Sequence, residues 1–109
     1  MGDRISVAFA DNHDESVALF SHWGGKRFLA WALDYVHELK VELKAQKKAS
    51  VAPLDRLEPA TMMVDFIRWL TTDKKRVESD LYLGKDYNDG DNSDNGHWVI
   101  DVNTGNIRG

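Results

Sequence analysis

The sequence predicts an α+β fold, an antiparallel sheet packed on a pair of helices in the order β-β-α-α-β-β with one further short strand at the end. Three observations lead there. Residues alternate between apolar and polar near both ends of the chain. Apolar residues recur at helical spacing through its middle. Clusters of Gly, Asn and Asp separate these stretches. A length of 109 residues fits a single domain, residues 1–109, large enough to bury a modest core without staples.

The first strand is read from Arg4 to Ala10. Ile5, Val7 and Phe9 point one way and Arg4, Ser6 and Ala8 the other, the period of a half-buried strand. Asp11 to Glu15 is polar turn chemistry. Ser16 to Trp23 reads as a second strand forming a hairpin with the first, punctuated by Gly24-Gly25. The period then changes. Phe28, Trp31, Ala32, Tyr35, Val36, Leu39 and Leu43 share one stripe, with Asp34, His37, Lys40 and Lys44 opposite, so a helix is expected from about Arg27 to Lys47. Ala49–Leu57 is read as a loop. Glu58-Pro59 suits a helix start, because proline lacks an N–H that the first turn does not need. Ala60, Met63, Val64, Ile67 and Leu70 define the buried stripe of this second helix, which ends near Asp73.

Leu81-Tyr82-Leu83 reads as a short strand or extended segment, and Lys85–Gly96, rich in Asp, Asn and Gly, as a loop. His97–Val102 reads as a strand with Trp98, Ile100 and Val102 on one face. A turn at Asn103-Thr104-Gly105 leads to a short strand at Asn106–Arg108.

Composition narrows the chemistry. The chain has no cysteine, which removes disulfides, thiolate metal sites and cysteine nucleophiles. That fits a reducing compartment. With no apolar signal core at the N-terminus and no apolar run of the roughly 18 residues a membrane span needs, a cytoplasmic location without membrane contact is expected. The net charge of −4 argues against nucleic acid as a partner. Charge is unevenly spread. Lys40, Lys44, Lys47, Lys48, Lys74, Lys75 and Arg76 form a basic stretch, and Glu78, Asp80, Asp86, Asp89, Asp91, Asp94 and Asp101 an acidic one. Such polarity can steer a partner, and equally well keeps a protein dissolved.

Several places could carry chemistry, each with a plainer reading beside it. At His22-Trp23-Gly24-Gly25 a strand hands over to a helix, and glycines allow close backbone approach to a ligand. Lys26 and Arg27 follow, so an anion at the helix N-terminus is one reading and a structural turn the other. A Walker-type phosphate loop would need glycine at Phe20 and Ser or Thr at Arg27. Asp91, Ser93, Asn95 and Gly96 match the first half of a calcium loop, but Val102 stands where the bidentate glutamate belongs. Calcium is thus the one cofactor the sequence suggests, through a weak site, against the plainer reading of a solvated loop. Of His13, His22, His37 and His97, no two have the spacing of a helical zinc pair, and no nucleophile-elbow motif is present. Met62, Phe66 and Trp69 widen the apolar sector of the second helix. This flank needs the first helix or another chain to cover it, which makes these residues a candidate interaction surface.

Met1-Gly2-Asp3-Arg4, His22-Trp23-Gly24-Gly25 after a strand, and Asp94-Asn95-Gly96 leading into Val99-Ile100-Asp101 resemble a family of small uncharacterised proteins of phages, plasmids and prokaryotic genomes. The family begins Met-Gly-Asn/Asp-Arg, carries His-Trp-x-Gly-Gly, and closes with Asp-Asn-Gly before a strand ending in an acid. The resemblance spans the chain in order and supplies no reaction. It implies that Arg4, the His22-Trp23-Gly24-Gly25 turn and the Asp94-Asn95-Gly96 turn belong to one design, and the candidate ligand-binding residues are Arg4, His22, Trp23, Gly24, Gly25, Asn95 and Asp101. Arg4, in a hairpin, falls beside Trp23 and could pair with Asp101 or with the loop acids.

The reading favoured by these residues is a small cytoplasmic accessory or binding protein acting through protein or ligand contacts, self-association included. The alternatives are a small hydrolase or transferase using His22 as its catalytic base, and a weak calcium binder.

Overall fold

The structure, a computed structural model, describes residues 3–48, 58–72 and 81–109. The expected loop Ala49–Leu57, the basic residues Lys74, Lys75 and Arg76, the acids Glu78 and Asp80, and Met1 and Gly2 lie outside them, as do the side chains of Leu43, Lys47 and Lys48. The order is β1 (Ile5–Ala10), β2 (Ala18–Ser21), α1 (Gly25–Lys48), α2 (Pro59–Thr72), β3 (Leu81–Gly84), β4 (His97–Asp101) and β5 (Ile107–Arg108), an α+β fold. None of the described helices is long and apolar enough to cross a membrane.

All five strands join one sheet in the order β3-β2-β1-β4-β5. β1 and β2 pair antiparallel, with Ile5 opposite Ser21 and Val7 opposite Leu19. β2 pairs antiparallel with β3, and β4 with β5. The expectation of a wholly antiparallel sheet is corrected at its centre. β1 and β4 run parallel, with Ser6 opposite His97 and Ala10 opposite Asp101. The connection explains this. β3 lies outside β2 and runs in the same direction as β1. To place β4 on the other side of β1, the chain must return from Gly84, beside Ala18, to His97, beside Ser6. Residues 85–96 make that return as an irregular crossover lying across the sheet.

The sheet is therefore covered on both faces, and every residue of β1 is buried. One face carries Ile5, Val7, Phe9, Leu19, Ile100 and Val102 and packs on the helices. Alternation assigned Ile5, Val7 and Phe9, and Ile100 with Val102, to common faces correctly. The stripe expected for α1 also faces inward, with Phe28, Ala32, Tyr35, Val36 and Leu39 buried. From α2 come Met62, Met63, Phe66 and Leu70, so the stripe expected there is corrected: Ala60 and Val64 are exposed and Ile67 is half-buried, because the helix turns its Met62–Phe66 side to the sheet and α1. Phe66 sits at the centre, its ring 5.5 Å from Phe9 and 5.2 Å from Tyr35.

The proposed interaction surface on α2 is used inside the chain. Met62 and Phe66 are fully buried. Trp69 stands 5.8 Å from the Tyr35 ring of α1 and 6.0 Å from Phe66. The Tyr35 hydroxyl donates to Asp65 at 2.8 Å, fastening the two helices at the same flank. The wide apolar sector exists because α2 must meet both the sheet and α1.

The opposite face carries Ser6, Ala8, Ala18 and Phe20, and the crossover lies on it. Phe20 is fully buried and stacks on Tyr82 at 5.0 Å. A side chain at Gly90 would stand 2.7 Å from the Tyr82 ring and 2.8 Å from Phe20. This glycine serves close packing of backbone on aromatic rings. The stretch read as a solvated loop is a loop exposed on its outer side, and its inner side covers this face of the sheet.

Candidate functional site

Two polar clusters fasten the crossover to the sheet, and together they gather most of the residues singled out in the sequence. The first lies at the start of β1. The Asp3 N–H donates to the His22 carbonyl at 3.0 Å, and the Gly25 N–H to the Asp3 carbonyl at 2.8 Å. The His22-Trp23-Gly24-Gly25 turn is thereby folded back on the strand that starts the sheet. A side chain at Gly24 would meet Ser21 Oγ at 2.6 Å and Phe28 Cβ at 2.8 Å, and Gly25 has φ +61°, so both glycines are required by the turn itself. His22 lies edge-on to Trp23 at 4.3 Å.

From the other side, Asp94 accepts from the Arg4 backbone N–H at 3.0 Å and from Arg4 Nε at 2.9 Å, while Arg4 Nη1 donates to Asp91. Asn95 donates its backbone N–H to the Arg4 carbonyl at 2.9 Å. These bonds to Arg4 hold the Asp94 carboxyl below the ordinary carboxylate range, and His22 is near enough to add to the effect. Thus Arg4, the histidine-tryptophan turn and the Asp94-Asn95-Gly96 turn meet at one end of β1. Asp101 does not join them. It stands opposite Ala10 at the other end, where its carboxylate accepts the backbone N–H groups of Asn103 at 2.8 Å and Thr104 at 2.9 Å. Of the two partners considered for Arg4, the structure selects the loop acids.

The calcium-loop residues are occupied by their own chain. Asp91 accepts from the Ser93 N–H at 3.1 Å and the Ser93 hydroxyl at 2.8 Å with one oxygen and from Arg4 with the other. The Asn95 amide donates to the Arg4 carbonyl at 3.3 Å. Among the described residues, no group of three or more His, Asp or Glu side chains converges as metal ligands would.

The second cluster lies one pair further along, where Ser6 of β1 meets His97 at the start of β4 beneath the crossover. Ser6, fully buried, places Oγ 2.7 Å from His97 Nδ1. The same oxygen accepts from the Asn92 amide at 2.9 Å, and that amide also donates to the Tyr87 carbonyl at 3.1 Å. Tyr87 stacks on the His97 ring at 5.6 Å. His97 Nε2 is buried without a hydrogen-bond partner, and the nearest carboxylate oxygen, Glu15 Oε2, is 4.0 Å away. Glu15 itself pairs with Arg108 of β5 at 3.3 Å. Burial lowers the His97 pKa from its ordinary value, and Glu15 opposes the shift only in part. A serine, a histidine and a glutamate in line suggest acyl-transfer chemistry, but Ser6 Oγ is enclosed and already bonded twice.

Sequence reasoning missed this cluster. Its signal was the second face of β1, where Ser6 and Ala8 alternate with large apolar residues. A strand face of small residues with one hydroxyl needs a close cover and a partner for that hydroxyl.

A cleft of about 580 Å³ opens between the β1–β2 connection and the start of α2, lined by Asp11, His13, Asp14, Glu15 and Glu58. Asp11 is bound by the backbone N–H groups of His13 at 2.8 Å and Asp14 at 2.7 Å. Comparisons with protein-family models, with curated proteins and with solved structures returned no match.

Proposed function

We propose that this chain is a cytoplasmic binding module that takes an extended segment of a partner protein along the β3 edge of its sheet. The observation that carries this reading is the difference between the two edges. β5 has two residues, and its Arg108 is paired with Glu15. Short and charged, it is a poor template for another strand. β3 has four residues, Leu81–Gly84, none charged, with Tyr82 and Leu83 40% and 56% exposed. Val17, 44% exposed, flanks them at the start of β2. An uncharged edge strand with apolar side chains beside it offers main-chain hydrogen bonds for affinity and side-chain contacts for specificity. The occupant that fits is an extended peptide with alternating apolar residues. Kinship with the small phage and prokaryotic proteins belongs to the same proposal and rests on the ordered motifs at the two ends of the chain.

Selection of peptides from a displayed library of extended sequences tests this. Selected peptides are expected to lose at least tenfold in affinity on Leu83→Lys, which places a charge on the edge, and to bind Val41→Lys normally. Val41 is similarly exposed, on α1. Failure to select any peptide, or equal binding to both variants, overturns the reading. Sedimentation of the wild type over a range of concentrations identifies the other outcome, a second copy on the same edge.

A further inference from the structure

We propose that His97 is a pH-sensitive latch for the 85–96 crossover: the neutral imidazole holds the segment on the sheet through Ser6, and protonation favours its release. This inference is independent of the edge-strand reading.

It follows from the polarity of the hydrogen bonds. Asn92 Nδ2 can only donate, so Ser6 Oγ accepts from it. Ser6 is fully buried, and its hydroxyl hydrogen needs an acceptor. His97 Nδ1, 2.7 Å away, supplies one when it carries no proton. The neutral ring then bears its hydrogen on Nε2. A second proton would arrive at Nδ1 and turn it into a donor. Ser6 Oγ would then receive two donors, and its own hydrogen would lose its acceptor inside a closed site.

The groups facing the ring do not remove this conflict. Glu15, from the β1–β2 connection, attracts a charged imidazole, but its carboxylate is 4.0 Å from Nε2 and engages Arg108. Arg108, from β5, repels a charged ring, and Asp86, from the crossover, attracts it weakly. Tyr87, also from the crossover, covers one side. Burial outweighs the two acids, and the closed site disfavours the charged form.

The sign of the linkage is fixed. A histidine whose pKa is lowered in the closed form takes up a proton on opening. Opening is therefore promoted as pH falls below the ordinary value of 6.5, by at most about tenfold per pH unit, until the closed-form pKa is reached. The bonds at stake include those from the Gly96 N–H to the Asn92 carbonyl and from the Asp91 N–H to the Tyr82 hydroxyl.

The test is amide hydrogen exchange by NMR on the full chain between pH 7.5 and 5, corrected for intrinsic rates, with the His97 ring followed in parallel. The expected result is an Nε2–H tautomer at neutral pH, and opening of Asp91 and Gly96 that rises several-fold toward pH 5 while Val7 and Leu19 stay protected. His97→Gln should flatten this dependence. His22→Gln, which alters a histidine near Asp94 that makes no contact with Ser6, should leave it in place. A His97 that titrates at or above 6.5, an Nδ1–H tautomer, or crossover protection that does not vary with pH overturns the proposal. The tautomer and titration of the wild type decide the matter even where His97→Gln does not fold.

Discussion

The two faces of the sheet are buried by different physics. On the helix face, Phe9, Phe28, Tyr35 and Phe66 meet as rings between about 5 and 6 Å apart, amid aliphatic side chains. The burial of apolar surface there is non-directional, and neither it nor the contacts between rings depend on pH. On the crossover face, apart from Phe20, Tyr82 and Tyr87, the cover is backbone and short polar side chains: Asn92 on Ser6, Asp91 and Asp94 on Arg4, Gly90 on Phe20. Burial there depends on donors meeting acceptors and on the absence of Cβ atoms. The helix face supplies bulk stability, while the crossover face supplies a particular arrangement that a single proton or methyl group can disturb.

Substitutions on each face sharpen that contrast. Phe66→Ala should have the largest effect, about 4 kcal/mol in urea unfolding, because it empties the centre of the helix face. The loss should be global, with exchange accelerated throughout β1, α1 and α2. Gly90→Ala should cost about 2 kcal/mol, since the added methyl meets two aromatic rings below contact distance. Its signature should be local, with protection lost in residues 85–96 and kept in the helices. A uniform loss for Gly90→Ala would show the crossover to be part of one cooperative core and erase the distinction between the faces. The smallest effect is expected from calcium. Chelator, or calcium restored at micromolar concentration, should leave the melting temperature unchanged, because Asp91 is already bound by Arg4 and Ser93. A saturable rise would mean that those bonds yield to the ion.

The helix face was legible in the sequence because period reports burial. Alternation placed Ile5, Val7 and Phe9 together, and the α1 stripe of Phe28–Leu39 points inward as expected, whereas on α2 only Met63 and Leu70 of the expected stripe are buried and Met62 and Phe66 take the places given to Val64 and Ile67. The meeting of Arg4 with Asp94 and of Asp3 with His22 follows from sheet ends placed side by side. Strand direction was not legible. Alternation says which side of a strand is covered and nothing about its neighbour, so β4 beside β1 reads the same whether parallel or antiparallel. The crossover was read correctly as a loop, but its packing on the sheet was not legible, for a related reason. Asp, Asn and Gly suit a solvated turn and equally a segment that packs backbone against rings. The second requirement was written elsewhere, in Ser6, Ala8, Ala18 and Phe20.

The parallel pairing of β1 with β4 has a kinetic consequence. β1 closes with β2 across a short connection, but its other neighbour arrives some 90 residues later, as the Arg4–Asp94 contact measures. Loop closure of that length raises contact order and slows folding, so the hairpin can form well before the sheet is complete. Until then β1, Ile5–Ala10 without a charge, presents an open side on which other chains could polymerise. Asp86, Asp89, Asp91 and Asp94 immediately precede the strand that closes this side. Like charges so placed discourage intermolecular pairing of the strand that follows them.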